Sequence, residues 1–375
     1  MRVAVVREVR EHERRVALVP ELVSRLTGAG LDVVVEENAG HWAYHPDEDY
    51  AAAGASLAQD DALDGADVVL AVQPLEPERV AKLKPGAIVI SFLPVAAELD
   101  TIRAAREAGV TMFAMELVPR ISRAQSMDAL TSQALVAGYR AVLVAAERLP
   151  RFFPLSMTAA GTVPPAKVLV LGAGVAGLQA IATAKRLGAR VEAYDVRAAA
   201  AEEIRSLGAR FIELDLPPLE GAGGYAREMT EERAQLQRDL LAPHVSGADV
   251  LITTAAVPGR EAPLLVQQPA VQAMQPGSVV IDLAAESGGN VEGSVPGEEQ
   301  TVGQALLWGA RNVPSQLPVH ASRLYAANLV NLLLLMTSDG EVSVNMDDEI
   351  IAGVCVTHDG TVRHEPTREL LGEEG

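Results

Sequence analysis

The chain has 375 residues, with 31 Lys and Arg against 50 Asp and Glu, and a formal net charge of −19. This charge excludes nucleic-acid binding and direct adhesion to anionic lipid, because both require a cationic face. The single cysteine, Cys355, excludes an internal disulfide and a thiolate metal site, and we interpret it as a small buried hydrophobe. The scattered histidines lack metal-ligand spacing, so no metal is expected. The length predicts two domains.

Apolar β-rich runs alternate with helical patterns in the first part of the chain. The predicted strands are 2–6, 32–36, 67–72, 87–93 and 110–115. Between them lie helical patterns such as 20–30, which begins with Pro and ends with Gly. Continuous apolar strands separated by helices predict a parallel sheet that is covered on both faces. A long helix, roughly 126–148, follows this set.

A second alternating set predicts a second parallel α/β domain. Its strands are 167–172, 190–195, 209–214, 248–254 and 278–284. The helical pattern 318–336 comes after that sheet is complete, so we expect it and the tail to return to the first domain. The longest apolar run, 329–336, is interrupted by Asn331 and is shorter than the roughly 20 residues of a membrane span, so we expect a soluble protein.

The second set opens with the clearest motif in the chain. A predicted strand runs into Gly172, Gly174 and Gly177, then a helix, then a strand that ends at Asp195. The first glycine permits a tight turn, the second lets a pyrophosphate approach the backbone, and the third lets the helix pack closely on the strand. Asp195 is placed to bind the adenosine ribose and to repel a 2′-phosphate, which favours NAD(H) over NADP(H). We interpret Arg197 as a solvated residue at a helix start.

These patterns together predict two doubly wound parallel-sheet (Rossmann-like) domains with a cleft between them. The expected first domain is discontinuous and comprises 1–134 and 313–375, and the expected NAD(H)-binding domain comprises 135–312.

Two further loops follow strands of the second sheet, where such sheets bind ligands. One is 253–263, and the other is 282–293 with Asp282 and Glu286; turn chemistry alone is the alternative for both. The Gly-rich insert 217–232 contains Tyr225 and is either a lid over a nucleotide or an ordinary surface loop.

The stretch 120–133, RISRAQSMDALTSQ, has the polar density of a site but contains no His, Cys or Lys. Oxidation of an alcohol or amine requires a general base, usually His or Lys, and this stretch offers neither.

Over nearly its whole length the chain resembles the NAD(H)-binding component of proton-translocating NAD(P) transhydrogenase. The stretches that carry the resemblance are 7–20, 120–133, GAGVAG with YDVR, 221–232, 253–263, 282–290 and 317–322. The resemblance implies that Arg120, Asp128 and Thr131 orient the nicotinamide carboxamide, with Thr131 standing where the family has Ser. It implies that Gln125 reaches towards the second nucleotide, which makes Gln125, Arg120 and Asp128 the candidate catalytic residues. The further nucleotide-contacting positions that it implies are Ser126, Met127, Val175, Asp195, Val196, Arg197, Gly224, Tyr225, Gln237 and Ala256.

The resemblance also implies partners. The family's protein is a homodimer that binds NAD(H) and docks with an NADP(H)-binding beta subunit, which is attached to a membrane-spanning proton channel. The expected location is therefore cytoplasmic, on the inner face of the plasma membrane through those subunits.

Two alternatives remain. The chain also resembles alanine dehydrogenase, whose site depends on an Arg, a Lys and a His. Arg15 matches the Arg, but Leu75 and Pro94 replace the Lys and His, so Arg15 is interpreted as structural and paired with an acid between the domains. The other alternative is a non-catalytic NAD-sensing subunit.

Overall fold

A computed structural model of the chain describes residues 1–59, 62–216, 231–256 and 260–372. The chain divides into two compact units, one formed by Met1–Gln133 with Pro314–Gly375 and the other by Ala134–Val313. Gly224, Tyr225 and all of the predicted lid except Glu231 and Glu232 lie outside the described residues.

The amino-terminal portion of unit 1 alternates strands with helices. Its elements are β1 (Arg2–Val5), α1 (Pro20–Thr27), β2 (Asp32–Glu36), α2 (Asp47–Ala52), β3 (Ser56–Ala58), β4 (Val68–Leu70), α3 (Pro77–Val80), β5 (Ile88–Ser91), α4 (Leu99–Ala108) and β6 (Thr111–Ala114). α1 begins at Pro20, whose fixed φ suits a first helical position. The helix ends before Gly30, whose φ of +83° lets the Leu31 amide return to the Leu26 carbonyl at 3.1 Å.

The long helix α5 (Ala129–Arg148) connects this portion to unit 2. By length and composition α5 passes the test for a membrane span, whereas the sequence had pointed to 329–336 as the strongest candidate. A single such helix is weak evidence, because the core helix of a globular protein passes the same test.

Unit 2 contains the second alternating set. Its elements are β7 (Ser156–Thr158), β8 (Gly161–Val163), β9 (Lys167–Leu171), α6 (Val175–Arg186), β10 (Arg190–Tyr194), α7 (Ala200–Ser206), β11 (Arg210–Phe211), α8 (Glu231–Ser246), β12 (Val250–Thr253), α9 (Gln268–Gln272), β13 (Val279–Asp282), β14 (Glu299–Val302) and β15 (Ala305–Gly309). The remaining elements belong to unit 1 and are α10 (Pro318–Leu335), β16 (Thr337–Ser338), β17 (Glu341–Val342), α11 (Glu349–Val354), β18 (Cys355–His358), β19 (Thr361–Val362) and α12 (Glu365–Leu371).

The main sheet of unit 1 has the strand order β19-β18-β6-β5-β4-β1-β2-β3. Strands β1 to β6 pair in parallel, as the sequence predicts, and apolar clusters cover both faces. β18 pairs antiparallel with β6, so the expectation of a wholly parallel sheet was wrong at this edge. β18 carries Cys355, which is buried as expected.

The main sheet of unit 2 has the order β11-β10-β9-β12-β13-β15-β14, with β14 alone antiparallel among the described strands. The chain winds outwards from β9 in one direction and from β12 in the other. The switch point therefore lies between β9 and β12, and in doubly wound sheets ligands bind beyond the carboxyl ends of the strands at that point.

Candidate functional site

The glycine turn after β9 lies at this switch point. Gly172 has a φ of +97°, and a Cβ there would lie 2.7 Å from the Thr254 hydroxyl oxygen. A Cβ on Gly177 would lie 1.8 Å from the Gly172 carbonyl oxygen, so α6 touches the turn backbone. Beside Gly174 the space is open, with nothing within 4 Å of an added Cβ. Each glycine thus has the local geometry that the sequence predicts for it.

The amino end of α6 is built to receive an anion. Gly174 is its N-cap and supplies no side-chain cap, and the first helical hydrogen bond runs from the Leu178 amide to the Gly174 carbonyl at 2.8 Å. The preceding amides, including that of exposed Val175, therefore begin the helix without intrahelical partners. A second close approach fixes this turn, because a Cβ on Gly138 of α5 would lie 2.1 Å from the Ala176 carbonyl oxygen.

Asp195 follows β10 and faces the same turn. Its carboxylate accepts hydrogen bonds from the amides of Ala173 at 2.7 Å and Arg197 at 2.8 Å. The Arg197 guanidinium pairs with it at 3.0 Å and also donates to the Ala173 carbonyl at 3.1 Å. Burial alone would raise the pKa of Asp195, but the hydrogen bonds from Arg197 and Ala173 hold it below its ordinary value.

Arg197 lies shortly before α7 and its side chain is 59% exposed, so it is solvated as expected. The sequence did not identify its partners: the guanidinium bridges the largely buried Asp195 carboxylate and the glycine turn. The intervening residue, Val196, is 62% exposed and lies open to a ligand.

The loops after β12 and β13 are held together by two fully buried side chains. Asp282 accepts hydrogen bonds from the Thr253 hydroxyl at 2.9 Å and from backbone amides that include that of Asn290, at 2.9 Å. The Asn290 side chain bonds both the amide and the carbonyl of Ala255. These hydrogen bonds occupy the Asp282 carboxylate, so they favour a structural role for Asp282 in its turn over ligand binding. The arrangement leaves Ala256 exposed at the carboxyl edge of the sheet.

Gln237 lies on α8 and is 1% exposed. Its Nε2 has no hydrogen-bond partner among the residues that the structure describes. A buried amide without a partner costs free energy, so this position suits a group that gains a partner from a ligand.

The polar stretch of unit 1 forms a 3-10 helix, Ser122–Met127, just before α5. Arg120, Gln125 and Ser126 are exposed and accessible to a ligand. Met127 is only 6% exposed and packs in the apolar cluster of unit 1. The Met127 side chain therefore anchors the loop, and the contact of this residue with a nucleotide stays a prediction.

Asp128 and Thr131 form a helix cap. The Asp128 carboxylate accepts the Thr131 amide at 2.8 Å and the Thr131 hydroxyl at 2.7 Å, three residues further on. The sequence contains this cap spacing, so the loop that resembles a nicotinamide site is also the start signal of α5.

The structure adds two residues that the sequence had not identified. Asn328 and Asn331 of α10 each donate from Nδ2 to the Ser126 carbonyl at 2.9 Å. The sequence does show Asn331 as a polar interruption of an apolar helix. It does not show which group the Asn331 side chain contacts.

Arg15 is buried and structural, as expected. Its partner is Glu13, at 2.7 Å, and it also donates to the Gln133 side chain at 2.9 Å. The acid lies in the same unit and two residues away, so the predicted pairing between domains was wrong. Leu75 packs in an apolar cluster of unit 1 and Pro94 is exposed.

Glu8 approaches this buried pair. Its carboxylate accepts the Val72 amide at 2.6 Å and the Gln73 amide at 3.2 Å. Burial, followed by the negative charge of Glu13, raises the pKa of Glu8 to about 8.

The family model described as "Alanine dehydrogenase/PNT, N-terminal domain" matches residues 4–137, and "Alanine dehydrogenase/PNT, C-terminal domain" matches residues 141–365. The chain belongs to the alanine dehydrogenase/PNT family. Within this family it is 47% identical to the first part of the NAD(P) transhydrogenase subunit alpha of Rhodospirillum rubrum, over 97% of this chain and 98% of that protein. The crystal structure of transhydrogenase from Sinorhizobium meliloti matches with a TM-score of 0.89 at 45% identity, over 96% of this chain and 100% of that one.

The alanine dehydrogenase branch of the family is more distant. The enzyme of Halomonas elongata is 30% identical, over 100% of this chain and 98% of that protein. The resemblance to transhydrogenase that the motifs carry is therefore confirmed, as is the predicted two-domain Rossmann-like fold.

Gly177→Ala and Gly174→Ala make the same chemical change in different surroundings. Because the new methyl of Gly177→Ala meets the Gly172 carbonyl, we expect it to lower the free energy of unfolding by about 1–3 kcal/mol. Gly174→Ala is the matched control, and its stability should stay within about 0.5 kcal/mol of the wild type. Urea unfolding measures both, and equal losses would refute the account of α6 packing.

Glu8→Gln should change the pH dependence of stability. A carboxyl whose pKa is raised to about 8 in the folded chain, from an ordinary value of 4.5, stabilises the fold fully below pH 4.5 and loses that contribution up to pH 8. In Glu8→Gln the fall in free energy of unfolding across this range should therefore be shallower, by at most about 1.4 kcal/mol per pH unit.

Urea unfolding at several pH values makes this comparison. Glu11→Gln is the control, because Glu11 is an exposed acid in the same segment and should keep the wild-type slope. Parallel curves for wild type and Glu8→Gln would contradict the raised pKa.

Proposed function

We propose that this chain is the NAD(H)-binding subunit of a proton-translocating NAD(P) transhydrogenase, which passes hydride from NADH to NADP⁺ held on a partner subunit. The observation that carries the proposal is the exposed loop around Gln125, in a stretch, 120–133, that contains no His, Lys or Cys. Such a loop can grip a carboxamide, and its one carboxylate, Asp128, is engaged by the amide and the hydroxyl of Thr131.

The nucleotide supplies the chemistry, since its dihydronicotinamide gives up a hydride, with both electrons, without releasing a proton. We assign the nucleotide's adenosine end to unit 2 and propose residues 135–312 as the NAD(H)-binding domain, with 1–134 and 313–375 as the other domain. The open space at Gly174 and the free amides at the start of α6 fit a pyrophosphate, and Asp195 fits the ribose hydroxyls. Val196, Gln237 and Ala256 would contact the same nucleotide.

At the nicotinamide end, Arg120, Asp128 and Thr131 orient the carboxamide. The hydrogen bonds within the helix cap hold Asp128 and Thr131 in fixed positions before any ligand arrives. Gln125 points to the partner's nucleotide and sets the distance between the two rings.

We further propose a homodimer that docks with an NADP(H)-binding beta subunit and, through it, a membrane-spanning subunit on the cytoplasmic face of the plasma membrane. An apolar surface around the β7–β8 hairpin supports self-association: Phe152 is 59%, Leu155 54% and Met157 74% exposed. Sedimentation of the chain alone tests this, and a monomer at micromolar concentration would exclude the dimer.

An alanine dehydrogenase activity is disfavoured by the same residues. Leu75 and Pro94 offer no acid or base, and Arg15 is engaged by Glu13 and Gln133. A non-catalytic NAD sensor would bind NADH and would show no transfer to any NADP-binding partner.

Asp195 should make the chain select NADH. We expect NADPH to bind at least tenfold more weakly, about 1.4 kcal/mol, because the carboxylate repels a 2′-phosphate. Asp195→Asn removes this charge and frees Arg197, so the preference should shrink severalfold.

Titrations followed by nucleotide fluorescence measure both affinities. Glu192→Gln removes a carboxylate from the strand that leads to Asp195, and it is the control that should keep the preference. Equal affinities of the wild type for NADH and NADPH would exclude this role of Asp195.

Gln125→Asn tests the proposed function directly. The change shortens the side chain by one methylene, and a misplacement of about 1 Å costs ~10²-fold when catalysis is mostly positioning. Hydride transfer from NADH to an NADP⁺ analogue on the partner domain should slow by roughly one to two orders of magnitude, whereas NADH affinity should stay within a few-fold.

Rapid mixing with the NADP-binding domain measures the rate, and nucleotide titration measures the affinity. Ser122→Ala is the control in the same 3-10 helix. A matched loss of affinity would make Gln125 an ordinary pocket residue, and no loss of either would place the meeting point of the nucleotides elsewhere.

A further inference from the structure

One carbonyl in the polar loop receives two side-chain donors from a distant helix. The Ser126 carbonyl oxygen accepts Nδ2 of Asn328 at 2.9 Å and Nδ2 of Asn331 at 2.9 Å. A carbonyl oxygen has two lone pairs, so these bonds use its full accepting capacity. The Ser126–Met127 peptide, one residue beyond Gln125, is therefore fixed in direction by α10.

The orientation of the Asn331 amide is determined by its other partner. Arg25 of α1 donates from Nη2 to the Asn331 Oδ1 at 3.0 Å, and a guanidinium has no acceptor. The Asn331 oxygen must therefore face Arg25, which leaves its NH₂ group for Ser126. The Asn328 Oδ1 accepts the Ser132 hydroxyl at 2.7 Å, which is consistent with its NH₂ group facing the Ser126 carbonyl.

The loop is also held by the residues that follow Ser126. The Met127 side chain is anchored in the apolar cluster, and the Asp128 amide approaches the Gln125 carbonyl at 3.4 Å. The backbone on both sides of the Ser126–Met127 peptide is thus restrained, while the Gln125 side chain stays exposed.

Placing a polar side chain in this part of α10 costs free energy. Asn328 is only 7% exposed, and an amide buried there loses hydration that only specific hydrogen bonds restore. A carbonyl at the end of an exposed 3-10 helix can be satisfied by water and does not require two asparagines. What the two bonds add is a single direction for the Ser126–Met127 peptide, one residue beyond Gln125.

We propose that Asn328 and Asn331 are positioning residues for hydride transfer, acting through the Ser126 carbonyl to aim Gln125 at the second nucleotide. This inference rests on the proposed function. The two asparagines contact neither nucleotide; they remove the freedom of the loop that would otherwise let the two rings separate.

Asn331→Asp separates this role from packing. The change keeps the size of the side chain and its acceptor for Arg25, replaces the donor to Ser126 by a carboxylate oxygen, and adds one negative charge. With the NADP-binding partner, hydride transfer should slow roughly three- to tenfold, a fraction of the loss from a full 1 Å misplacement. NADH affinity and the thermal midpoint should stay near wild type, because the pocket and the core are untouched.

Leu335→Asp is the matched control for charge, since Leu335 is exposed one turn further along the same helix, and it should transfer hydride at the wild-type rate. Asn328→Asp is the second variant and should repeat the effect if Asn331→Asp does not fold. Hydrogen exchange of the amides of 120–128 gives a readout that does not depend on activity, and it should be severalfold faster in both Asn variants.

The outcomes distinguish the two proposals. The inference alone is overturned if the wild type transfers hydride and both Asn variants show the same transfer rate and the same amide hydrogen exchange as the wild type. Equal losses of rate and thermal midpoint make the asparagines merely structural and also overturn it. A wild-type protein that transfers no hydride to its partner overturns the proposed function, and this inference with it.

Discussion

The contact between Gly177 and the Gly172 carbonyl sets the position of everything at the carboxyl edge of the unit 2 sheet. Because no side chain separates α6 from the turn, the helix begins directly above the switch point between β9 and β12. Its unpaired amides then face the same space as the carboxylate of Asp195, which is tied to the turn through the Ala173 amide. A bulkier residue at either glycine would displace the helix start and with it the anion site.

The rest of this edge is stabilised by buried polar side chains together with a short parallel pairing of Val266 with Val291. The Asp282 carboxylate accepts the amides of Ala284 and Asn290, and the Asn290 side chain donates to the Ala255 carbonyl. This explains why a chain can carry an acid at a site-like position without using it on a ligand. A fully buried carboxylate with several donors is expensive to disturb, and its use is to fix the loop.

In unit 1 as well, a buried charged side chain is held by hydrogen bonds. Arg15 is buried, and Glu13 and Gln133 accept its hydrogen bonds. The polar loop around Gln125 is exposed instead, and its neighbours are held by a helix cap on one side and by two asparagines on the other. These hydrogen bonds fix the position of the loop backbone while the Gln125 side chain stays exposed.

The sequence by itself determined the features whose physical basis is local. Strands such as Asp32–Glu36 and Lys167–Leu171 follow from continuous apolar runs, and the nucleotide fingerprint follows from glycines at fixed spacing. Only the tertiary structure decided the features that join distant positions. The antiparallel addition of β18 to β6, the burial of Met127 and the meeting of Asn328 and Asn331 at Ser126 all depend on which segments become neighbours. Arg197 shows the limit even at short range. The sequence indicated an exposed residue near a helix start, and only the burial of Asp195 beside the glycine turn shows that this exposed guanidinium also pairs with the acid and with the turn.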